Sequence, residues 1–363
     1  MESLQTIIAT CAPEAGLSSR IIPFASGTSL KERLSANPVL MAPMAGVSDG
    51  VYRTMARAGG AGLAYSEMVS VAGIHFGGEK TWELVEPLST EPDIAVQLFG
   101  SKPEQFKEAA AQISERLGNK LALIDINMAC PVPKVVKKGE GSALLDTPEL
   151  AADLVKACLS EVSVSVTVKI RRGRRQDEEV APEFARAMEA AGASAVAIHG
   201  RFATQMYRGQ AEWETVNRVC DAVSIPVIGS GDMLSAEAAA HALTETGVTA
   251  VMIARGTYGN PWIFRNTQAL VEGQPALVPT LDQMLASFMM HVRLLDAADI
   301  HIARARSLST WYFRGIPNAA YWRGKSVRCV TAQDFIDLAL EIKETVKQLE
   351  DEQESSEHTL PIS

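Results

Sequence analysis

Short apolar runs and longer stretches of helical spacing alternate along the chain from Pro38 to Ile253. The apolar runs lie at 39–42, 62–66, 94–98, 121–124, 164–169, 195–198, 225–228 and 249–253. Each is bounded by glycine, proline or polar clusters and reads as a buried strand. Between them, residues 49–58, 103–117, 148–159, 182–191, 213–223 and 236–246 place apolar positions on one helical face. Pro103 falls in the first turn of its helix, and Gly192 and Gly247 stand just past the ends of theirs. Both placements match the chemistry of helix starts and stops. Eight strands separated by helices imply parallel pairing through crossovers. Eight such units close best as an α/β fold of the (β/α)8 TIM barrel type. An open doubly wound sheet is the competing architecture. It would carry a glycine-rich turn after the first strand, and Pro43-Met-Ala-Gly-Val is not that fingerprint.

The rhythm has limits at both ends. Residues 1–37, with Pro13, Gly16, Pro23 and Gly27, read as an irregular N-terminal extension. After Pro261 strand-like alternation stops, and helical spacing dominates from Leu281 to Leu349. Gly273, Pro275 and Pro279 break the pattern between the two regimes. The expected organisation is therefore a barrel at 38–272, a C-terminal all-helical domain at 278–350 and an acidic, disordered tail at 351–363.

Composition narrows the class. With 363 residues, 47% hydrophobic and 21% charged, the chain has the balance of a soluble protein with a sizeable core. No apolar run approaches membrane-spanning length, and the start lacks the basic region of a secretory signal. The five cysteines, at 11, 130, 158, 220 and 329, are scattered and odd in number. They point to a reducing cytoplasm, not to a disulfide framework or a metal site. A net charge of −9 argues against a globally basic nucleic-acid binder. Local patches differ. Residues 291–328 hold seven Lys/Arg against two acids, alongside Trp311, Tyr312, Phe313, Tyr321 and Trp322. Arg171, Arg172, Arg174 and Arg175 form a second cluster. Such runs are by default solvated faces, but two on an acidic chain suit a polyanionic partner.

Barrel chemistry gathers at the C-terminal ends of strands, which can be read off in order. They carry Pro43 and Met44, Glu67, Gln97, Asn127 and Cys130, Lys169, His199, Ser230-Gly231-Asp232 and Ala254-Arg255-Gly256. Cys130 follows an apolar run that stops at Asn127, with Pro131 behind it. A thiol there is a candidate acid or nucleophile, although cysteines are also commonly inert packing. The glycine-bearing segments after the last two strands suit a phosphate, with Arg255 adding a guanidinium. Lys169 suits an anionic or electron-rich ring, and Gln97 can both donate and accept at the polar edge of one. His199, ahead of Gly200-Arg201, is better placed for cofactor contact than for metal binding, since no second ligand stands at metal spacing. Glu67 could serve as an acid or base, whereas Asp125 lies within its strand and reads as structural.

At these residues the chain resembles the tRNA-dihydrouridine synthases, with the closest pattern in their bacterial B-type branch. The motifs run in order: Met-Ala-Pro-Met-Ala-Gly-Val at 41–47, Ser-Glu-Met at 66–68, and Gln97-Leu-Phe-Gly. Asp-Ile-Asn-Met-Ala-Cys-Pro at 125–131 and Lys-Lys-Gly-Glu-Gly-Ser-Ala-Leu-Leu at 137–145 follow. Val-Lys-Ile-Arg at 168–171, Ile-His-Gly-Arg at 198–201, Gly-Asp at 231–232 and Pro-Trp-Ile-Phe at 261–264 complete the set. The resemblance implies a flavoprotein in which NADPH (or NADH) reduces FMN, and the flavin gives hydride to C6 of a tRNA uridine. Cys130 would then protonate C5, as an ordinary thiol with a pKa of about 8.5 can do at neutral pH.

The resemblance also assigns residues. Pro43, Met44, Ala45, Gln97, Lys169, His199, Ser230, Gly231, Asp232, Ala254 and Arg255 are the expected FMN contacts. Asn127, Arg171, Arg201 and Arg304 are the expected tRNA contacts. The expected partners are tRNA and NAD(P)H, with no metal and no membrane, around a cytoplasmic monomer. Ala129 stands where the family has glycine before the cysteine, Ala254 precedes Arg255 where it has glycine, and Ser230 replaces an asparagine. Val132-Pro133 replaces a more polar pair. Two other readings remain at this point: an FMN barrel reductase for a free pyrimidine or an enone, and a non-catalytic tRNA-binding factor.

Overall fold

A computed structural model of the chain describes residues 2–24 and 29–357. Eight parallel strands form one sheet: β1 (Val39–Met41), β2 (Tyr65–Ser70), β3 (Ile94–Phe99), β4 (Leu121–Met128), β5 (Ser165–Arg171), β6 (Ala195–His199), β7 (Val227–Ser230) and β8 (Ala250–Ile253). They pair in the order β1-β8-β7-β6-β5-β4-β3-β2. A parallel bridge between Met41 and Ala64 joins the two edges, with Met41 N–H donating to the Leu63 carbonyl at 2.9 Å. The sheet is thus closed as a barrel, which leaves no edge unpaired.

Strand alternation sorts the side chains. Leu40, Leu63, Tyr65, Ala95, Leu123, Ala195, Ala197, Ile228, Ala250 and Met252 pack together as one apolar cluster within the barrel. On the same parity but further along their strands stand Gln97, Asp125, Asn127, Thr167, Lys169, His199 and Ser230. An apolar interior therefore gives way to polar groups toward the C-terminal ends, where a period of two puts alternate residues inside.

The opposite end is closed by the segment before β1. Phe24 and the helix containing Leu30 and Leu34 pack into the same apolar cluster. Residues 1–37, expected to be irregular, carry two helices, α1 (Leu4–Glu14) and α2 (Leu30–Ala36), each with a serine N-cap. Pro13 and the glycines hid an apolar spacing at Ile7, Ile8, Cys11, Ala12 and Ala15, all of which are buried. The helix α3 (Gly50–Ala58) sends Arg53 to Glu91 at 2.6 Å and Arg57 to Asp93 at 2.8 Å. Asp93 also accepts from the Phe24 amide at 2.5 Å, and Arg57 donates to the Ile22 carbonyl at 2.6 Å. The Arg57–Asp93 pair thus clamps residues 22–24 against the start of β3, while Arg53–Glu91 ties α3 to the loop before that strand, with Arg53 also donating to the Ser48 carbonyl at 3.0 Å.

The chain divides into two compact units, Ile21–Thr257 with Ile263–Ala276, and Met1–Arg20 with Tyr258–Trp262 and Leu277–Ser363. The first holds the barrel. In the second, α1 packs on the helix Leu281–Ala297 and Trp262 donates its indole N–H to the Ala15 carbonyl at 2.9 Å. Its core gathers Phe288, Tyr312, Phe313 and Phe335. The aromatic face expected at 311–322 is corrected accordingly. Tyr312, Phe313 and Trp322 are buried, and Trp311 stacks on Tyr258 at 4.1 Å. Only Tyr321, 58% exposed, keeps a solvent-facing ring among those five. Helical spacing of aromatics had signalled a core. The last helix runs Ala332–Glu357, so residues 351–357 are helical where a disordered tail was expected, and 358–363 lie outside the described residues. Glu and Gln are good helix formers, which lets the acidic run extend the helix. Among the described residues no helix is long and apolar enough to cross a membrane.

Candidate active site

The centre of the mouth is a line of hydrogen bonds that crosses three strands. Sheet register places Gln97 beside Asp125, and Asp125 beside Thr167. Thr167 Oγ1 donates to Asp125 Oδ1 at 2.6 Å, and Gln97 Nε2 donates to Asp125 Oδ2 at 2.6 Å. Gln97 Oε1 accepts from Asn127 Nδ2 at 2.8 Å. Asn127 Oδ1 then accepts the backbone N–H groups of Ala129 (3.2 Å) and Cys130 (2.9 Å). The second Asn127 Nδ2 proton goes to Met68 Sδ at 3.1 Å. All four hydrogen-bonding valences of this amide are used within the protein. Asn127, expected as a tRNA contact, here holds the loop that carries Cys130.

Cys130 is buried, and its carbonyl accepts from Ser142 N–H at 3.0 Å. Gly141 makes that approach possible. Its φ is +60°, and a Cβ there would lie 2.8 Å from the Cys130 carbonyl oxygen. Gly141 and Ser142 sit in the Gly-Glu-Gly-Ser motif, so the sequence carried the signal without its meaning.

The other half of the mouth is cationic. Lys169, adjacent to Asn127 in the register, is buried and has no hydrogen-bond or ion-pair partner among the described residues. Burial and the neighbouring Arg171 pull its ammonium down to about 8, against the opposing pull of Asp125. His199 is held well below the usual imidazole range by burial first, then by Arg171, Lys169, Arg201 and Arg255. It is therefore neutral at physiological pH. Arg201 Nη1 lies 3.3 Å from His199 Nε2. Because guanidinium can only donate, Nε2 accepts and the proton sits on Nδ1.

Arg171 and Arg201, expected to touch RNA, are buried and occupied. Arg171 donates to the carbonyls of Ala129 (3.0 Å), Phe202 (3.2 Å) and Met206 (3.0 Å). Arg201 donates to Arg208 and Gly209 carbonyls and to Asp232 Oδ2 at 2.7 Å. Together they support the loop 202–209 from beneath. That loop exposes Tyr207, whose ring lies under the Arg255 guanidinium at 5.1 Å. Of the four arginines after strand five, the remaining three are also matched. Arg172 pairs with Glu179, Arg174 with Asp146, and Arg175 with Glu178. The alternation of β5 turns Arg171 inward, and the acids that answer the others are Glu178 and Glu179 of the same connection and Asp146 from the loop after β4.

The remaining expected contacts lie around this rim. Pro43, Met44 and Ala45 form the turn after β1, pinned by Ser48 Oγ (accepting from Met44 N–H, 3.0 Å). Glu67 Oε2 accepts from Gly46 N–H at 2.6 Å, which makes it a loop anchor in this structure. Ser230 ends β7 and pairs in register with His199 and Met252. Gly231 (φ +118°) passes so close to His199 that a Cβ would sit 2.9 Å from its ring. The Asp232 carboxylate is spent on Arg201, the Ala211 N–H and Arg255. Ala254 and Arg255 follow β8, with Arg255 partly exposed. Arg304 opens the helix Arg304–Tyr312 of the helical unit. Sequence reasoning missed Ser48, Thr167, Gly141 and Tyr207. Gly141 left a trace in its motif and Thr167 one as a polar residue at an inward position of an apolar strand.

Fold and site together define a (β/α)8-barrel enzyme with a thiol at one strand end and a surplus of buried cations beside it. The dihydrouridine synthase (Dus) family model matches residues 40–351. The tRNA-dihydrouridine synthase B of Pasteurella multocida is 37% identical over 290 residues, covering 78% of this chain and 86% of the relative. That of Pseudomonas aeruginosa is 37% identical over 311 residues, covering 82% and 92%. The chain belongs to the dihydrouridine synthase family. Among solved structures, the 6-hydroxypseudooxynicotine amine oxidase of Pseudomonas geniculata N1 aligns with a TM-score of 0.51 at 13% identity. It covers 72% of this chain and 50% of that one, a likeness of fold alone.

Proposed function

We propose that this chain is a flavin-dependent tRNA-dihydrouridine synthase, with FMN in the barrel mouth, NADPH as reductant and Cys130 as proton donor. The observation that carries this reading is Cys130 held at the end of β4 by Asn127, beside the cationic half of the mouth. The residues fit FMN on the chemistry of their donors. Lys169 offers a buried ammonium without a partner among the described residues, suited to the electron-rich carbonyl edge of the ring. His199 offers a neutral N–H, and Gln97 retains one N–H and one lone pair. Arg255 and the Gly231 turn suit the phosphate, whereas Asp232 serves the arginines and leaves only its backbone for the ligand.

Bound and reduced, FMN would supply the hydride that C6 of the uracil requires. Cys130 would give its thiol proton to C5 as the ring's double bond is spent, and the thiolate left behind would regain a proton from solvent. Arg171, bonded to the Ala129 carbonyl, offers a cation close to that thiolate. The substrate base must leave its stack to reach such a mouth, so the RNA has to be gripped elsewhere. Arg314, Arg323 and Arg328 of the helical unit make no ion pair among the described residues and stand near Tyr321 in sequence. They are better suited to phosphates than the neutralised arginines after β5, and a tRNA substrate implies work in the cytoplasm. The small-molecule and non-catalytic readings are not favoured by the relatives. Mapping dihydrouridine in tRNA from cells lacking the gene tests the proposal. One or more positions should revert to uridine and be restored by the wild-type gene but not by Cys130→Ala. Unchanged dihydrouridine in the deletion strain would refute it.

A further inference from the structure

We propose that Asp125 is a positioning residue that sets the orientation of the Gln97 and Asn127 amides and, through them, the backbone of Cys130. The inference rests on Cys130 being the proton donor of the reading above. Its basis is the polarity of the hydrogen-bond line. A carboxylate can only accept, so Gln97 must turn its NH2 to Asp125 and its oxygen to Asn127. Asn127 must then turn its NH2 to Gln97, which leaves its oxygen for the Ala129 and Cys130 N–H groups. Backbone N–H groups at one end and a carboxylate at the other thus demand the same orientation of both amides. An amide has two nearly isosteric orientations, and here the charge of one buried side chain selects between them.

The selection depends on ionisation. Burial pushes the Asp125 carboxyl up to about 6, opposed by the hydrogen bonds from Gln97 and Thr167 and by Lys169. The groups facing it are Gln97 from β3, Thr167 and Lys169 from β5, and Tyr65 from β2, whose buried hydroxyl has no partner among the described residues. Protonation converts one Asp125 oxygen from acceptor to donor. Either Gln97 or Thr167 then loses its acceptor, and the orientation of Gln97 is no longer enforced from that side. His199 is held well below this range, and Lys169 titrates near 8, so neither obscures the transition.

The test is NMR of the FMN-loaded, full-length enzyme labelled with 15N-cysteine, with the Cys130 amide assigned by its absence in Cys130→Ser. In the wild type this amide should shift between pH 5 and 8 with a midpoint near 6. Asp125→Asn, which offers one donor and one acceptor at every pH, should abolish the shift. It should also remove the acid limb of single-turnover tRNA reduction and slow that step about tenfold at pH 7.5, one hydrogen bond to a charge. Thr167→Val, which keeps the shape and the carboxyl, should move the midpoint upward by removing a bond that favours the charged form. A wild-type amide that does not titrate, or a midpoint unchanged in either variant, overturns the inference. Loss of dihydrouridine formation in the wild type would instead overturn the functional reading, whatever the Cys130 amide does.

Discussion

The two ends of the barrel bury charge in opposite ways. At the end closed by α2, the buried Arg57 has its own carboxylate in Asp93, which also takes the Phe24 amide. Around the mouth, Lys169, Arg171, Arg201 and Arg255 surround His199, while Asp125 and Asp232 are the acids drawn into their network. Matched pairs tie loops to strands and leave little for a ligand. Burial first, and the crowding of cations second, lower Lys169 and His199, a cost that an electron-rich ligand would offset. Charge balance therefore separates the end that holds the barrel shut from the end that works.

The largest expected effect tests the matched end. Asp93→Ala leaves the buried Arg57 guanidinium without its carboxylate and should cost about 4 kcal/mol of stability, read by denaturant unfolding. At the mouth the sign reverses. Lys169→Met should stabilise the flavin-free protein by up to about 3 kcal/mol at pH 7, since burial disfavours the ammonium, while weakening FMN binding. The folded Lys169 gives up its proton near 8, below an unfolded lysine. Wild-type stability relative to the variant should therefore rise as pH increases from about 8 toward 10.5. A destabilised Lys169→Met would erase the contrast between the ends.

Asp125 provides a second, pH-resolved comparison. Its folded pKa lies above the unfolded one, so the ionised form is penalised in the native state. The stability of Asp125→Asn relative to wild type should climb by about 3 kcal/mol between pH 4 and pH 7, read as the difference between two Tm series. The smallest effect concerns RNA. Arg328→Ala should reduce the salt dependence of tRNA binding by about one unit of slope, whereas Arg175→Ala should leave it unchanged. Equal effects from both would mean that neutralisation by Glu178 and Asp146 does not distinguish the clusters.

Much of this organisation was legible before the structure. The strand rhythm gave the barrel, and the strand ends named Gln97, Cys130, Lys169, His199 and Arg255 at the mouth. What the chain could not reveal was which of them touch. Gln97, Asp125 and Thr167 are brought side by side only by sheet register. Asp125 read as structural from its place within a strand, yet parity turns it inward beneath the cysteine loop. Arg171 looked like a free cation because its partners are backbone carbonyls, which carry no sequence signature, and Arg201 because its carboxylate, Asp232, is brought beside it only by the fold. Trp322 and Phe313 looked like an RNA face because charge and aromatic side chains alternate there, but helical period decided in favour of burial.

The central claim, that Cys130 is the acid of a flavin-dependent uridine reduction, is tested most directly by single turnover. Enzyme whose FMN has been reduced with NADPH is mixed with tRNA lacking dihydrouridine, and product is followed by mass and flavin by absorbance. Cys130→Ala should bind and accept electrons from NADPH as the wild type does, yet form dihydrouridine at least about a hundredfold more slowly. Product formation by Cys130→Ala at the wild-type rate would contradict the account.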